Sequence, residues 1–159
     1  MGTLPQLLEE DIQRLDDELR ELLRETDATT AAVIDKGGFL ITSQGDNRQF
    51  DLTTIAALAS GAYLANQTIA NLVNETNFNS VYQQGERMSM FVMCIDEYCL
   101  LTVIFRSQVS VGAVKYFSMP ACSHIAEQLQ MAQQRDPGAG LDLSVLNLAD
   151  TSDLFKRRS

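Results

Sequence analysis

The stretch that decides the fold is Asp51-Leu52-Thr53-Thr54-Ile55-Ala56-Ala57-Leu58-Ala59-Ser60-Gly61-Ala62-Tyr63-Leu64-Ala65-Asn66-Gln67-Thr68-Ile69-Ala70-Asn71-Leu72-Val73-Asn74. Asp51 is a good helix N-cap, because its carboxylate can accept from the free amides two or three residues on. After it the chain carries no Lys, Arg, Glu, Asp or Pro through Asn74, enough for about six turns of helix. Ile55, Leu58, Ala59, Ala62, Ala65, Ile69, Leu72 and Val73 recur at helical spacing, and such a stripe is expected to lie on a core. The other side shows Ala57, Ser60, Gly61, Leu64 and Thr68. A surface helix usually carries charges there, and a glycine inside a helix costs about 1 kcal/mol against alanine. The expectation is a helix held between its own sheet below and another protein above. Thr53, Thr54, Asn66, Gln67, Thr68 and Asn71 interrupt the run, which argues against a membrane span.

Working outward, the totals bound the answer. The 159 residues suit one domain with short extensions, and 45% hydrophobic residues are enough for a core. A net charge of -9 argues against nucleic acid and anionic membrane surfaces as partners, because both require basic patches. Cys94, Cys99 and Cys122 sit in apolar surroundings and read as reduced core residues of a cytoplasmic protein. The N-terminus lacks a basic region followed by an apolar run, so no signal peptide is expected.

Before the central helix, Leu8, Ile12, Leu15, Leu19 and Leu22 repeat at alternating spacings of four and three, with acids and arginines between them. This predicts an amphipathic helix from about Pro5 to Thr26 with a solvated outer face. Ala31 to Asp35 and Phe39 to Ser43 flank Lys36-Gly37-Gly38 and predict an antiparallel hairpin. After the central helix, Ser80 to Gln84 reads as a short, polar edge strand. Met88 to Ile95 and Tyr98 to Phe105 read as strands joined at Asp96-Glu97, hydrophobic enough to be covered on both faces. Ser107 to Gln134 is helical, with Val111, Val114, Ile125, Leu129 and Ala132 pointing inward. Pro120 either kinks this helix or opens a new one. Asp136-Pro137-Gly138-Ala139-Gly140 breaks structure. The expectation is therefore one domain over residues 1–135 and a flexible tail over 136–159, ending in Lys156-Arg157-Arg158. Helix, two strands, helix, three strands, helix makes one five-stranded antiparallel sheet between helices, an α/β (α+β) architecture with order α-β-β-α-β-β-β-α.

Catalytic chemistry is sparse. Cys94 and Cys99 straddle a turn on strands whose side chains alternate in face, a poor start for a metal site. His124 neighbours Cys122 and Ser123 along one helix, a spacing that does not place side chains face to face. Lys36-Gly37-Gly38 lacks the pattern of a phosphate loop. Asp35 and Asp51 are isolated carboxylates, and Arg87 and Arg106 read as turn residues. No catalytic set emerges.

The segments Ala32-Val33-Ile34-Asp35-Lys36-Gly37-Gly38-Phe39-Leu40-Ile41-Thr42-Ser43-Gln44-Gly45, Asp51 to Leu58, Tyr82-Gln83-Gln84-Gly85, Val103-Ile104-Phe105 and Ser110-Val111-Gly112-Ala113-Val114 occur together and in this order. In that combination the chain resembles the Roadblock/dynein light chain family, most closely its MglB-type bacterial members. The resemblance implies a homodimer formed through the central helix and the third strand. It implies a platform for a small Ras-like GTPase, with no cofactor. For MglB-type members it implies that the dimer binds one such GTPase, MglA, and speeds its hydrolysis by holding the switch regions, in cell polarity or motility. A scaffold that recruits a GTPase without altering hydrolysis is the alternative. On this chain the implied GTPase-facing residues are Ala57, Gly61, Leu64 and Thr68. The implied dimer seam is Ala56, Ser60, Tyr63 and Gln67 with Val81, Tyr82 and Gln83 of the third strand. Pro120 and the Lys-Arg-Arg ending depart from the family pattern.

Overall fold

The computed structural model describes residues 4–135. The expected tail, residues 136–159 with its basic end, lies outside the described residues. The elements run α1 Glu9–Thr26, β1 Thr30–Asp35, β2 Leu40–Gly45, α2 Leu52–Leu72, β3 Ser80–Gln83, β4 Met88–Cys94, β5 Cys99–Arg106 and α3 Val111–Gln134. The strands form one antiparallel sheet in the order β2-β1-β5-β4-β3. The expected order of helices and strands is therefore found, with α1 and α3 together on one face and α2 on the other.

Turn chemistry fixes the register. At the β1–β2 tip the Asp35 amide donates to the Phe39 carbonyl at 2.8 Å, and the Gly38 amide donates to the Asp35 carbonyl at 2.9 Å. Gly38 has a φ of 101°, which favours glycine, and a Cβ there would stand 3.3 Å from Cα of Ala57. The tip thus presses directly on α2. At the β4–β5 turn, Oδ1 of Asp96 accepts from the Tyr98 amide at 2.8 Å and the Cys99 amide at 2.9 Å.

The α1/α3 face holds the large side chains. Leu15, Leu19 and Leu22 of α1 meet Ile125 and Leu129 of α3 over Phe91, Leu101 and Phe105 of the sheet, all buried. Two expectations change here. Helix α1 begins at Glu9 instead of Pro5, because Asp11 turns back to accept the Leu8 amide at 2.8 Å. Asp11, expected on the solvated face, is fully buried and also accepts from Gln128 Nε2 at 2.7 Å and from Arg135 Nη1 and Nη2 at 2.9 and 2.8 Å. Burial alone would raise its pKa, but the Arg135, Leu8 and Gln128 hydrogen bonds and the Arg135 charge together hold it below the usual value. This clasp ties the start of α1 to the end of α3. Helix α3 starts at Val111, where Ser110 Oγ accepts the Ala113 amide at 3.2 Å. It continues through Pro120 as one helix, with Pro120 on its exposed side.

Candidate protein-interaction surface

Helix α2 is capped as its sequence dictates. Asp51 Oδ1 accepts the Thr54 amide at 3.2 Å, and Oδ2 accepts the Thr54 hydroxyl at 2.6 Å. These bonds lower the Asp51 pKa, the Thr54 hydroxyl contributing most.

The helix sits on the sheet in a different rotation from the one its hydropathy suggests. Its buried residues are Leu52, Ala56, Ala59, Ser60, Tyr63 and Ala70, of which Ala56, Ala59 and Tyr63 pack on Ala32 and Ile34 of β1, Val92 of β4 and Leu100 of β5. Ser60 and Gln67 find partners on this side, while the buried Tyr63 hydroxyl has none. Ser60 Oγ donates to the Lys36 carbonyl, and Gln67 Nε2 donates to the Phe78 carbonyl at 3.2 Å. The Lys36 ammonium stands 5.5 Å from the centroid of the Tyr63 ring, a cation–π distance. Burial first, and the neighbouring Cys94 second, raise the Tyr63 phenol well above its ordinary value.

This rotation bears on two expectations. Ala56, Ser60 and Tyr63, expected on a dimer seam, are buried against their own sheet, and Gln67 is half-buried beside them. Conversely, of the stripe expected to lie on a core, Ala59 alone is buried, while Leu58 and Leu72 are 68% and 77% exposed. The satisfied hydroxyl and amide of Ser60 and Gln67 let polar residues occupy the inner side, and small alanines let the helix approach the sheet.

What remains outward is two ridges without an acidic or basic group. One is Ala57, Gly61, Leu64 and Thr68, all exposed, lying on the flank that meets the hairpin tip. A Cβ added at Gly61 would meet nothing. The second ridge is Ile55, Leu58, Ala62, Ala65, Ile69 and Leu72, spaced three, four, three, four, three. Sequence reasoning reads these residues as interior. The signal that could place them outside is that same heptad-like spacing, which a seam between helices requires. Beside this ridge runs an apolar groove of about 550 Å³ lined by Phe50, Ile55, Leu58, Ala62, Met88, Met90 and Ile104.

Strand β3 borders the groove and closes the sheet. Val81, opposite Val92, and Gln83, opposite Met90, share the α2 side of the sheet. Tyr82 points to the other side, where its ring stacks on Phe105 at 6.1 Å and 12°. The three β3 residues expected on the seam are therefore split between two faces.

The remaining candidates do not converge. Cys94 lies on the α2 side and Cys99 on the opposite side. Burial pushes the Cys122 thiol up to about 12 and the Cys99 thiol higher still, so neither is a ready nucleophile. His124 Nδ1 is 3.1 Å from Glu18 Oε2 on the exposed surface between α1 and α3. Asp35 accepts the Gly37 amide within the hairpin turn. Arg87 and Arg106 are exposed. Among the described residues, no group of three or more His, Cys, Asp or Glu side chains is arranged to hold a metal ion, and no helix is long and apolar enough to cross a membrane.

Comparison with known proteins places this arrangement. The Roadblock/LC7 domain matches residues 14–105, more than half of the chain. A solved MglB with tetrameric arrangement is 30% identical, with a TM-score of 0.77, covering 83% of this chain and 99% of its own. The gliding protein MglB of Thermus thermophilus is 30% identical with a TM-score of 0.76, covering 82% of this chain and 99% of its own. Myxococcus xanthus MglB, 24% identical with a TM-score of 0.75 over 82% of this chain and 98% of its own, shares the fold. No curated protein matches the chain. With the domain signature running from α1 through the sheet and these relatives matched over almost their whole length, the chain belongs to the Roadblock/LC7 family.

Proposed function

We propose that the protein is a non-catalytic, homodimeric regulator of a small Ras-like GTPase of the MglA kind. It acts in the cytoplasm as a GTPase-activating protein, in cell polarity or motility. The observation that carries this reading is the exposed ridge Ala57, Gly61, Leu64 and Thr68 on an uncharged helix. Family membership and the likeness to MglB proteins support it. The helix spends a glycine at Gly61 where its own fold has room for a side chain, which suits close approach by another backbone.

Activation here requires no chemical group from this chain. A rigid surface that binds the switch segments of the GTPase more tightly in the hydrolysis-competent arrangement shifts their population toward it. Interactions made more strongly in the transition state than in the ground state accelerate the step, and those made equally in both do not.

The test is phosphate release from the cognate MglA-like GTPase, with and without this protein. Acceleration is expected, and Gly61→Arg with Leu64→Arg should abolish both binding and acceleration while circular dichroism stays unchanged. Binding with unaltered hydrolysis would make the chain a scaffold. A folded double variant that binds normally would move the site off this ridge.

A further inference from the structure

Helix α2 is held to its protomer by few directional contacts. Among the described residues, two side-chain hydrogen bonds tie it down beyond its N-cap: Ser60 Oγ to the Lys36 carbonyl and Gln67 Nε2 to the Phe78 carbonyl. The helix carries no charge to pair, and the buried Tyr63 hydroxyl has no partner. Ser60 and Gln67 are seven residues apart, so both lie on one edge of the helix. Leu64 of the ridge stands four residues after Ser60 and three before Gln67, over the span between them. Ala57, three residues before Ser60, borders the same edge. The opposite edge, at Ile55, Leu58 and Ala62, is apolar and opens onto the groove.

The N-terminal anchor is the more elaborate. The hairpin tip reaches α2 at Ala57, Ser60 and Tyr63, over about two turns. Gly38 has no Cβ, and one placed there would stand 3.3 Å from Cα of Ala57. The Lys36 carbonyl accepts from Ser60, and the Lys36 ammonium lies 5.5 Å from the Tyr63 ring centroid. Behind the tip, the Lys36 amide donates to the Tyr98 carbonyl at 2.8 Å. The tip is thus tied to β5 on one side and to α2 on the other.

A hydrogen bond sets the roll of a helix where apolar contact does not, because burial has no direction. A roll of about 20° moves atoms about 5 Å from the axis by roughly 2 Å. That breaks the Ser60 bond, since a donor and acceptor about 3.6 Å apart no longer form one. It displaces the ridge by a similar amount.

We propose that Ser60, with Lys36 and Gly38 of the hairpin tip, positions the GTPase-binding ridge by fixing the roll of α2. Ser60 is buried and touches no partner; it acts through the helix. This rests on the reading of Ala57, Gly61, Leu64 and Thr68 as the GTPase site and adds what holds that site in place. Without the bond, α2 samples several rolls. One of them presents the ridge, and apparent affinity falls by the fraction lost.

The test measures affinity for the cognate GTPase, loaded with a non-hydrolysable GTP analogue, using the full chain as wild type, Ser60→Ala and Thr26→Val. The Thr26 hydroxyl makes the same kind of bond, to the Leu22 carbonyl at 2.7 Å, buried at the end of α1. Thr26→Val therefore removes a matching bond away from α2. Ser60→Ala should weaken binding by about three- to tenfold, what one hydrogen bond holds in an equilibrium, and Thr26→Val should bind as the wild type does. Hydrogen exchange of the free protein is the second readout: Ser60→Ala should speed the α2 amides more than those of α1 and α3. Wild-type affinity in Ser60→Ala, wild-type exchange of its α2 amides, or an equal loss of affinity in Thr26→Val overturns the proposal. If Ser60→Ala fails to fold by circular dichroism, Lys36→Met, which removes the ammonium over Tyr63, decides by the same two readouts. A wild type that binds no GTPase refutes the proposed function instead, and hydrogen exchange then still judges the hold on α2.

Discussion

The two faces of the sheet differ in kind. On one, leucines and an isoleucine of α1 and α3 pack over two buried phenylalanines of the sheet in a thick core, and acidic and basic side chains cover the outside of α1. On the other, α2 meets the sheet mainly through Ala56, Ala59 and one large ring, Tyr63, and leaves Leu58, Leu64, Ile69 and Leu72 in solvent. The first face is built to hold the domain together. The second holds one helix just firmly enough to present it. Burial of apolar area stabilises by roughly 25 cal/mol per Å², so a helix that exposes its leucines gains little from folding alone. Contiguous exposed apolar surface of this sort marks a place where another protein sits.

Substitutions can break or sharpen this contrast. Leu19→Ala, on the thick face, should cost about 2–5 kcal/mol, the range for emptying a buried leucine site, measured by urea unfolding. A loss below that range would mean the α1/α3 core is looser than its packing implies.

Asp11→Asn tests the clasp that closes the same face. Removing the charge opposite Arg135 should cost about 1–3 kcal/mol at neutral pH. The folded-state pKa of Asp11 is depressed. Its contribution is therefore complete above the ordinary carboxylate value of about 3.9. It disappears as pH falls below that value through the folded one. Unfolding curves of the wild type and the variant should converge across that acidic window, and a constant gap would refute the ion-pair account.

Gly61→Ala should change stability in the other direction, by about 0.5–1 kcal/mol in favour of the fold. The added methyl meets no neighbour within the protomer. If thermal unfolding shows destabilisation instead, Gly61 serves the protomer after all and the contrast between the faces weakens. The smallest effect is expected for Leu64→Ala on the thin face, within about 0.5 kcal/mol, as for other exposed positions.

Much of the fold is legible because its signals are local. The alternating spacing of Leu15, Leu19 and Leu22 against a charged background sets the rotation of α1, and all three are buried. Gly37-Gly38 and Asp96-Glu97 mark the turns, and the hydrophobic run of β5 marks a strand covered on both sides, whereas β4, read the same way, leaves Met88 and Met90 only partly buried beside the groove. Ends are less legible. Asp11 sets the start of α1 locally by accepting the Leu8 amide, but its burial depends on Arg135, more than a hundred residues away in the chain, and no local pattern contains that partner. The outer ridge Ala57, Gly61, Leu64 and Thr68 is visible in the absence of charge. Its neighbour through Leu58 and Ile69 passes for core, because apolar side chains at helical spacing look the same whether they face a sheet or a second helix.

By itself, the sequence determined the number, order and kind of elements, the family pattern, and the presence of one helix that water alone does not suit. Only the tertiary structure decided which side of that helix is inside. A helix uncharged all round has no electrostatic reason to prefer one rotation. The choice fell to shape and to individual bonds: alanines small enough to touch the sheet, Ser60 reaching the Lys36 carbonyl, and Gln67 reaching that of Phe78. Those partners lie in distant parts of the chain and meet the helix only when the sheet is assembled.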